Sequence, residues 1–198
     1  MTDAQERARR LFFAFWPDDA TREALVHACR KAVRGSGGRP VAPANLHVTL
    51  AFLGSVAEPL LPALREAAAT LPGEPVELTF DRIAFWPRPQ VLVAACAAPP
   101  PATAELVARL WSRLAPLGIE PDPRPYAPHI TLARKVRKPH PDLSMKLVRW
   151  PVDDLALVES VTDPAGARYQ VLSRWPLGAA SGPGSPPEPP VAADFPPR

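Results

Sequence analysis

Cysteine, lysine and long apolar runs are all scarce in this chain. Its 198 residues hold two cysteines, Cys29 and Cys96, which form no closely spaced pair. That excludes a disulfide framework and a cysteine-rich zinc site, and it fits a reducing, cytoplasmic compartment. Four histidines are present, without zinc spacing and without an H-E-x-x-H motif, so no metal site is expected. No segment reaches the ~18 apolar residues that a membrane span needs. The opening MTDAQERARR places charge where a secretory leader is apolar. Lysine occurs 4 times against 19 arginines, and the net charge is only +3. A duplex-DNA binder would carry a strong positive stripe instead. The arginine excess suits phosphate recognition, and it is equally what a codon bias toward Arg, Ala and Pro leaves.

Proline, by contrast, is abundant: 29 of 198 residues. Seven of these fall in the tail from Gly178 to Arg198, which has little to bury and reads as disordered. The division expected is therefore one folded unit over 1–177 and a tail over 178–198. Elsewhere prolines mark turns and helix starts, such as Pro17, Pro59, Pro87, Pro101 and Pro164.

Between these marks, residues 10–16 read as a strand. Asp18 to Thr21 offers N-cap chemistry for a helix over 19–34, with Leu25, Val26, Cys29 and Val33 as its apolar stripe. Strands are expected at 46–53, 75–85, 90–97, 129–134, 152–161 and 167–175. Helices are expected at 59–71 and from Pro101 to about Gly118. Trp86-Pro87-Arg88-Pro89 and Asp163-Pro164-Ala165-Gly166 read as hairpin turns. The order indicates an α+β fold with mostly antiparallel sheets.

Two strand segments repeat: His47-Val48-Thr49-Leu50-Ala51 and His129-Ile130-Thr131-Leu132-Ala133. Each is His, a β-branched aliphatic, Thr, Leu, Ala. One such triplet is noise; two matched copies in matched contexts indicate a duplication. Strict alternation puts His47, Thr49 and Ala51 on one face, and His129, Thr131 and Ala133 on one face of the other copy. The alanines would then leave room above each His-Thr pair. Two pseudo-symmetric lobes, each a mostly antiparallel sheet flanked by helices, would bring both pairs into one cleft. Such a site suits a phosphodiester: a neutral imidazole takes a proton from water and a protonated one gives a proton to the leaving oxygen. The threonine hydroxyls can donate to phosphate oxygens. No metal and no cofactor is required.

The paired H-x-T-L resembles the 2H phosphoesterase superfamily, and within it the RNA 2′,3′-cyclic phosphodiesterases, also called 2′-5′ RNA ligases. The likeness extends to Arg10-Leu11-Phe12-Phe13-Ala14, to HVTLAFLG from His47, to the hairpin around Trp86-Pro87-Arg88-Pro89, and to Arg124 through Arg134. It implies metal-independent opening of RNA 2′,3′-cyclic ends to 2′-phosphates, with RNA ends or cyclic nucleotides as partners. It also implies that His47 is the proton donor to the 3′ oxygen and His129 the base. Thr49, Thr131 and Arg134 would hold phosphate. Strict alternation puts Arg134 on the wrong face for this, unless the strand bulges or ends after Ala133, or the long side chain curls round the edge. Ligation through the same site, or non-catalytic binding of RNA ends, are the alternatives; retention of both histidines speaks against the second.

Other residues read less sharply. Tyr126, Phe13 and Trp86 could stack on a base, and Arg88 and Arg124 could guide RNA. Arg134, Lys135, Arg137 and Lys138 could track its backbone, or form a solvated basic loop. His27 reads as a surface helix residue and His140 as an exposed loop residue. A monomer is expected.

Overall fold

The computed structural model describes residues 8–137, 143, 145–163 and 166–178. His140, Lys138, Pro164, Ala165 and the tail beyond Gly178 lie outside the described residues. The chain forms β1 (Ala8–Phe15), α1 (Asp19–Gly35), β2 (Arg39–Pro40), β3 (Val48–Ala57), α2 (Leu61–Ala69), β4 (Val76–Phe80), β5 (Arg82–Trp86) and β6 (Val91–Ala95). Then come α3 (Pro101–Leu114), β7 (His129–Arg134), β8 (Val148–Val152), β9 (Asp154–Asp163) and β10 (Gly166–Pro176). The mixture is α+β, and every strand pairing among the described residues is antiparallel.

Eight strands form one sheet in the order β10-β9-β1-β3-β7-β6-β5, with the short β2 on β7. The two H-x-T-L copies lie side by side at its middle, where β3 and β7 pair only through Val48 and Ile130. That pairing sits on a local two-fold. One step away from it are His47 and Thr131 on one side, Thr49 and His129 on the other. The halves of the sheet are thus joined by hydrogen bonds rather than forming two separate sheets.

The sheet has a thick back and a thin front. Behind it, Leu11, Phe13, Phe15, Leu92, Ala94, Ile130 and Leu132 pack on buried residues of all three helices and of a second sheet, β4-β8. Trp150 of β8 wedges between Phe15 and Phe80, with centroids 6.4 Å from each. The span 75–85, read from sequence as one strand, is therefore two. Asp81 separates β4, which joins the second sheet, from β5, which joins the large one. Strand β8, apart from its last residue Val152, lies outside the strands expected from sequence. Pro151 interrupts its pattern, and is tolerated because β8 pairs on one side only.

Helix α1 starts where its cap demands: the Asp18 carboxylate accepts from the Thr21 N–H at 2.7 Å. Its buried stripe is Thr21, Leu25, Cys29 and Ala32, whereas Val26 is 39% exposed. Helix α3 opens on Pro101, and a 3-10 turn carries it to Gly118, whose φ of +75° is a left-handed stop. Leu177 closes the core, and the Gly178 N–H donates to the Gly73 carbonyl at 2.7 Å.

Candidate active site

Each half of the motif contains the same β-bulge. Along β3, Ala14 pairs with Thr49 and Phe13 with Ala51, so Leu50 is the extra residue. Along β7, Val93 pairs with Thr131 and Leu92 with Ala133, so Leu132 is the extra residue. Both members of Leu50-Ala51 and of Leu132-Ala133 therefore face the back, and all four are in the core. This corrects the expectation that Ala51 and Ala133 leave room above the His-Thr pairs; they pack beneath the sheet. The same bulge reverses parity for the residues beyond it. Arg134 pairs with Val91, two residues from Val93, the partner of Thr131. Paired side chains share a face, so Arg134 stands on the front with Thr131 and His129. In the first copy the equivalent place, opposite Phe12, is held by Phe52, which is 47% exposed beneath the Arg10 guanidinium.

The two imidazoles are held alike. Nδ1–H of His47 donates to the Asn45 carbonyl at 2.7 Å, and Nδ1–H of His129 donates to the Ala127 carbonyl at 2.8 Å. A carbonyl can only accept, so in both neutral rings Nε2 is the basic nitrogen. The Thr49 hydroxyl lies 3.1 Å from Nε2 of His47.

Their surroundings differ. His47 sits in an aromatic cage. Trp16 stacks on it at 5.3 Å, Phe12 is tilted at 4.9 Å, and Tyr169 meets it edge-on at 5.3 Å. Burial is the main cause that pushes its pKa down to about 4, with the charges of Arg134 and His129 adding to it. His129 touches one ring, Trp86, at 4.4 Å. Its pKa is also lowered, first by burial and then by Arg124 and Arg134. The charge of Arg134 is thus felt at both rings.

The remaining candidates divide. Trp86 lies in the site, against His129. Arg124 is exposed and forked onto Asp122, with its charge still felt at His129. Arg88 is an exposed turn residue, and no contact among the described residues ties it to the site. Tyr126 packs against the core, and its buried hydroxyl has no hydrogen-bond partner among the described residues. Burial pushes its phenol above the ordinary range. Phe13 is a correction: it is 0% exposed on the back face, so it offers nothing to a base. Its neighbour Phe12 faces the site instead. His27 is an exposed residue of α1, away from the motif.

Sequence reasoning missed Phe12, Trp16 and Tyr169. Phe12, Ala14 and Trp16 alternate along β1 and the residue that follows it, so the signal for Phe12 and Trp16 was there. Tyr169 reaches His47 only because β9 and β10 fold back beside β1. Among the described residues, no three His, Cys, Asp or Glu side chains cluster as metal ligands. No helix among them is long and apolar enough to cross a membrane.

Residues 16–164, which contain both motifs, match the profile of the 2′-5′ RNA ligase superfamily. The chain belongs to that superfamily. An RNA 2′,3′-cyclic phosphodiesterase of Escherichia coli K12 is 34% identical over 173 residues, covering 85% of this chain and 97% of the relative. A Thermus thermophilus protein of the same name is 36% identical, covering 90% and 98%. The fold of E. coli LigT, solved with 3′-AMP, superposes with a TM-score of 0.81 at 33% identity, over 87% of this chain and 100% of that one. The superfamily's fold therefore runs through nearly all of the described chain.

Proposed function

We propose that this protein hydrolyses the 2′,3′-cyclic phosphate of RNA ends to a 2′-phosphomonoester, with His129 as base and His47 as acid. The carrying observation is the matched pair of imidazoles, each with Nδ1 fixed by a carbonyl and Nε2 left as the basic nitrogen, with Arg134 on the face of His129 and its charge felt at both rings. The names of the bacterial relatives point to the same substrate.

The step is a single displacement. Water attacks phosphorus and its proton passes to Nε2 of His129. The bond from phosphorus to O3′ breaks, and O3′ takes a proton from Nε2 of His47. Thr49, Thr131 and Arg134 donate to the non-bridging oxygens, where charge accumulates. His129 suits the water side because its chain neighbour Pro128, its strand partner Ala95 and its ring contact Trp86 line an open pocket, whereas aromatic rings close around His47. Without a phosphate anion beside it, His47 is neutral near pH 7. A bound phosphate anion restores its proton, and the ring faces of Trp16 and Phe12 favour the imidazolium.

His47→Ala and His129→Ala should each cost ~10²–10⁴-fold in kcat on a nucleoside 2′,3′-cyclic phosphate. An activated aryl phosphodiester, such as bis(4-nitrophenyl) phosphate, needs no proton on its leaving group. On it, His47→Ala should recover most of its rate and His129→Ala should not. EDTA should leave turnover intact. Recovery by the other variant would reverse the roles. Activity surviving in both, or loss to EDTA restored by Mg²⁺ or Zn²⁺, would overturn the mechanism.

A further inference from the structure

A row of side chains crosses the front of the sheet at the Arg134 end of β7. Trp86 pairs with Val91, Val91 with Arg134, and Arg134 with Arg39 on β2. Paired residues share a face, so all four stand on the front in one line, with ~4.8 Å from strand to strand. Arg39 is exposed and Trp86 partly so. Arg88, in the turn from β5 to β6, and Lys135 and Arg137, just past β7, are exposed at the same end of these strands. Among the described residues, no acid pairs with Arg39, Arg88, Arg134, Lys135 or Arg137.

Two features mark this shelf as more than a solvated basic loop. Like charges directly opposite on neighbouring strands destabilise a sheet, and Arg39 and Arg134 are such a pair. The backbone beneath them is also held against its preference. Gln90 and Lys135, beside the paired ends of β6 and β7, have φ of +53° and +56°, a left-handed conformation that residues with side chains seldom adopt. The Val136 N–H donates to the Gln90 carbonyl at 2.9 Å, and the Val136 side chain is fully buried. A Cβ on Gly38 would come within 2.6 Å of Val136 Cγ2 and 2.8 Å of the Arg134 carbonyl oxygen, so β2 is pressed against the same turn. The cations are thus set on a rigid base before any ligand arrives, which lowers the entropy lost on binding.

We propose that this shelf binds the backbone of single-stranded RNA, independently of any reaction at the RNA's end. Phosphates placed between the guanidiniums replace their mutual repulsion with attraction, and a chain with one phosphate per nucleotide supplies them in a row. The indole at the end of the row separates RNA from other polyanions. An unpaired base stacks on it, whereas a duplex keeps its bases stacked inside. The inference takes RNA as the partner from the reading above and uses none of its acid and base roles.

The test measures, by fluorescence anisotropy, the binding of short single-stranded RNAs that end in a 3′-hydroxyl and so cannot react, from about 50 to 200 mM salt. Log affinity should fall with log salt at a slope on the order of −3, and alike for different sequences, because phosphate contacts carry no base information. Arg39→Gln should weaken binding roughly two- to fivefold and reduce the slope by about 0.7, and Arg88→Gln should reduce the slope by the same amount. Inorganic polyphosphate should compete at least about fivefold more weakly per phosphate, having no base to stack. A slope near zero, an unchanged slope in either variant, or equal competition by polyphosphate would each overturn the proposal. So would a loss of nucleoside 2′,3′-cyclic phosphate hydrolysis in Arg39→Gln as large as its loss of RNA binding, which would tie Arg39 to the reacting phosphate. RNA binding with these slopes in a protein that hydrolyses no cyclic nucleotide would support the shelf and overturn the catalytic reading alone.

Discussion

The caging of His47 by Phe12, Trp16 and Tyr169 should be measurable in the stability of the ligand-free protein. The ring's pKa is held at about 4 in the folded chain, mainly by burial, against ~6.5 in an unfolded one. Above about pH 6.5 the ring is neutral in both states, and the full stability is present. As pH falls below that, the unfolded chain takes up the proton first, so stability drops until about pH 4. The gap corresponds to on the order of 3 kcal/mol. His47 is only half-buried by surface exposure, and water at its Nε2 edge trims the expected loss to about 1–3 kcal/mol. With a urea slope of ~1–3 kcal/mol/M, the midpoint should move by about 0.5–1.5 M between pH 7 and 4.5. Other groups titrate in this window too, so the quantity to read is the difference between wild type and His47→Gln. The variant should lack this part of the slope. Added inorganic phosphate should flatten the wild-type slope, because an anion beside the ring raises its pKa. Equal pH slopes in the two proteins would refute the burial argument.

The same geometry sets three other outcomes. The kcat/KM profile should be bell-shaped and peak below about pH 6.5, because both imidazoles are held under their ordinary value; a maximum above pH 8 would contradict it. Arg134→Met should lower kcat/KM by ~10²–10³-fold with little change in Tm, and unchanged kinetics would place Arg134 off the phosphate. Ala133→Leu should cost about 1–3 kcal/mol of stability by overpacking the core. Lost activity with an unchanged melting curve would instead put Ala133 on the site face.

The candidate site was legible in part because it repeats. His47 and His129 sit in matched pentapeptides, and local identity is visible without any fold. The face of each later residue was not legible, because it depends on a bulge. Thr-Leu-Ala carries two adjacent apolar residues in both copies, and that doubling was the available signal. Strict alternation overrode it, misplacing Ala51, Ala133 and Arg134 together. Phe13 failed as a base contact for a related reason. Phe12 and Phe13 are chemically the same, and only the pairing of β1 with β3 and β9 decides which one meets the back core.

By itself, the sequence determined the local chemistry: an Asp18 cap for α1, prolines at element edges, and two His-Thr pairs on strands free of proline. These come from spacing and from side-chain types within a few residues. Tertiary structure alone decided what lies across the sheet. It joined the two motifs at Val48 and Ile130, brought Tyr169 back onto His47, and turned Arg134 to the front through the bulge at Leu132. It also set Trp16 beside one histidine and Ala95 beside the other. The physical reason is the range of the interactions. Caps and turns are settled by neighbours in the chain, whereas register and burial are settled by strands far away in the sequence.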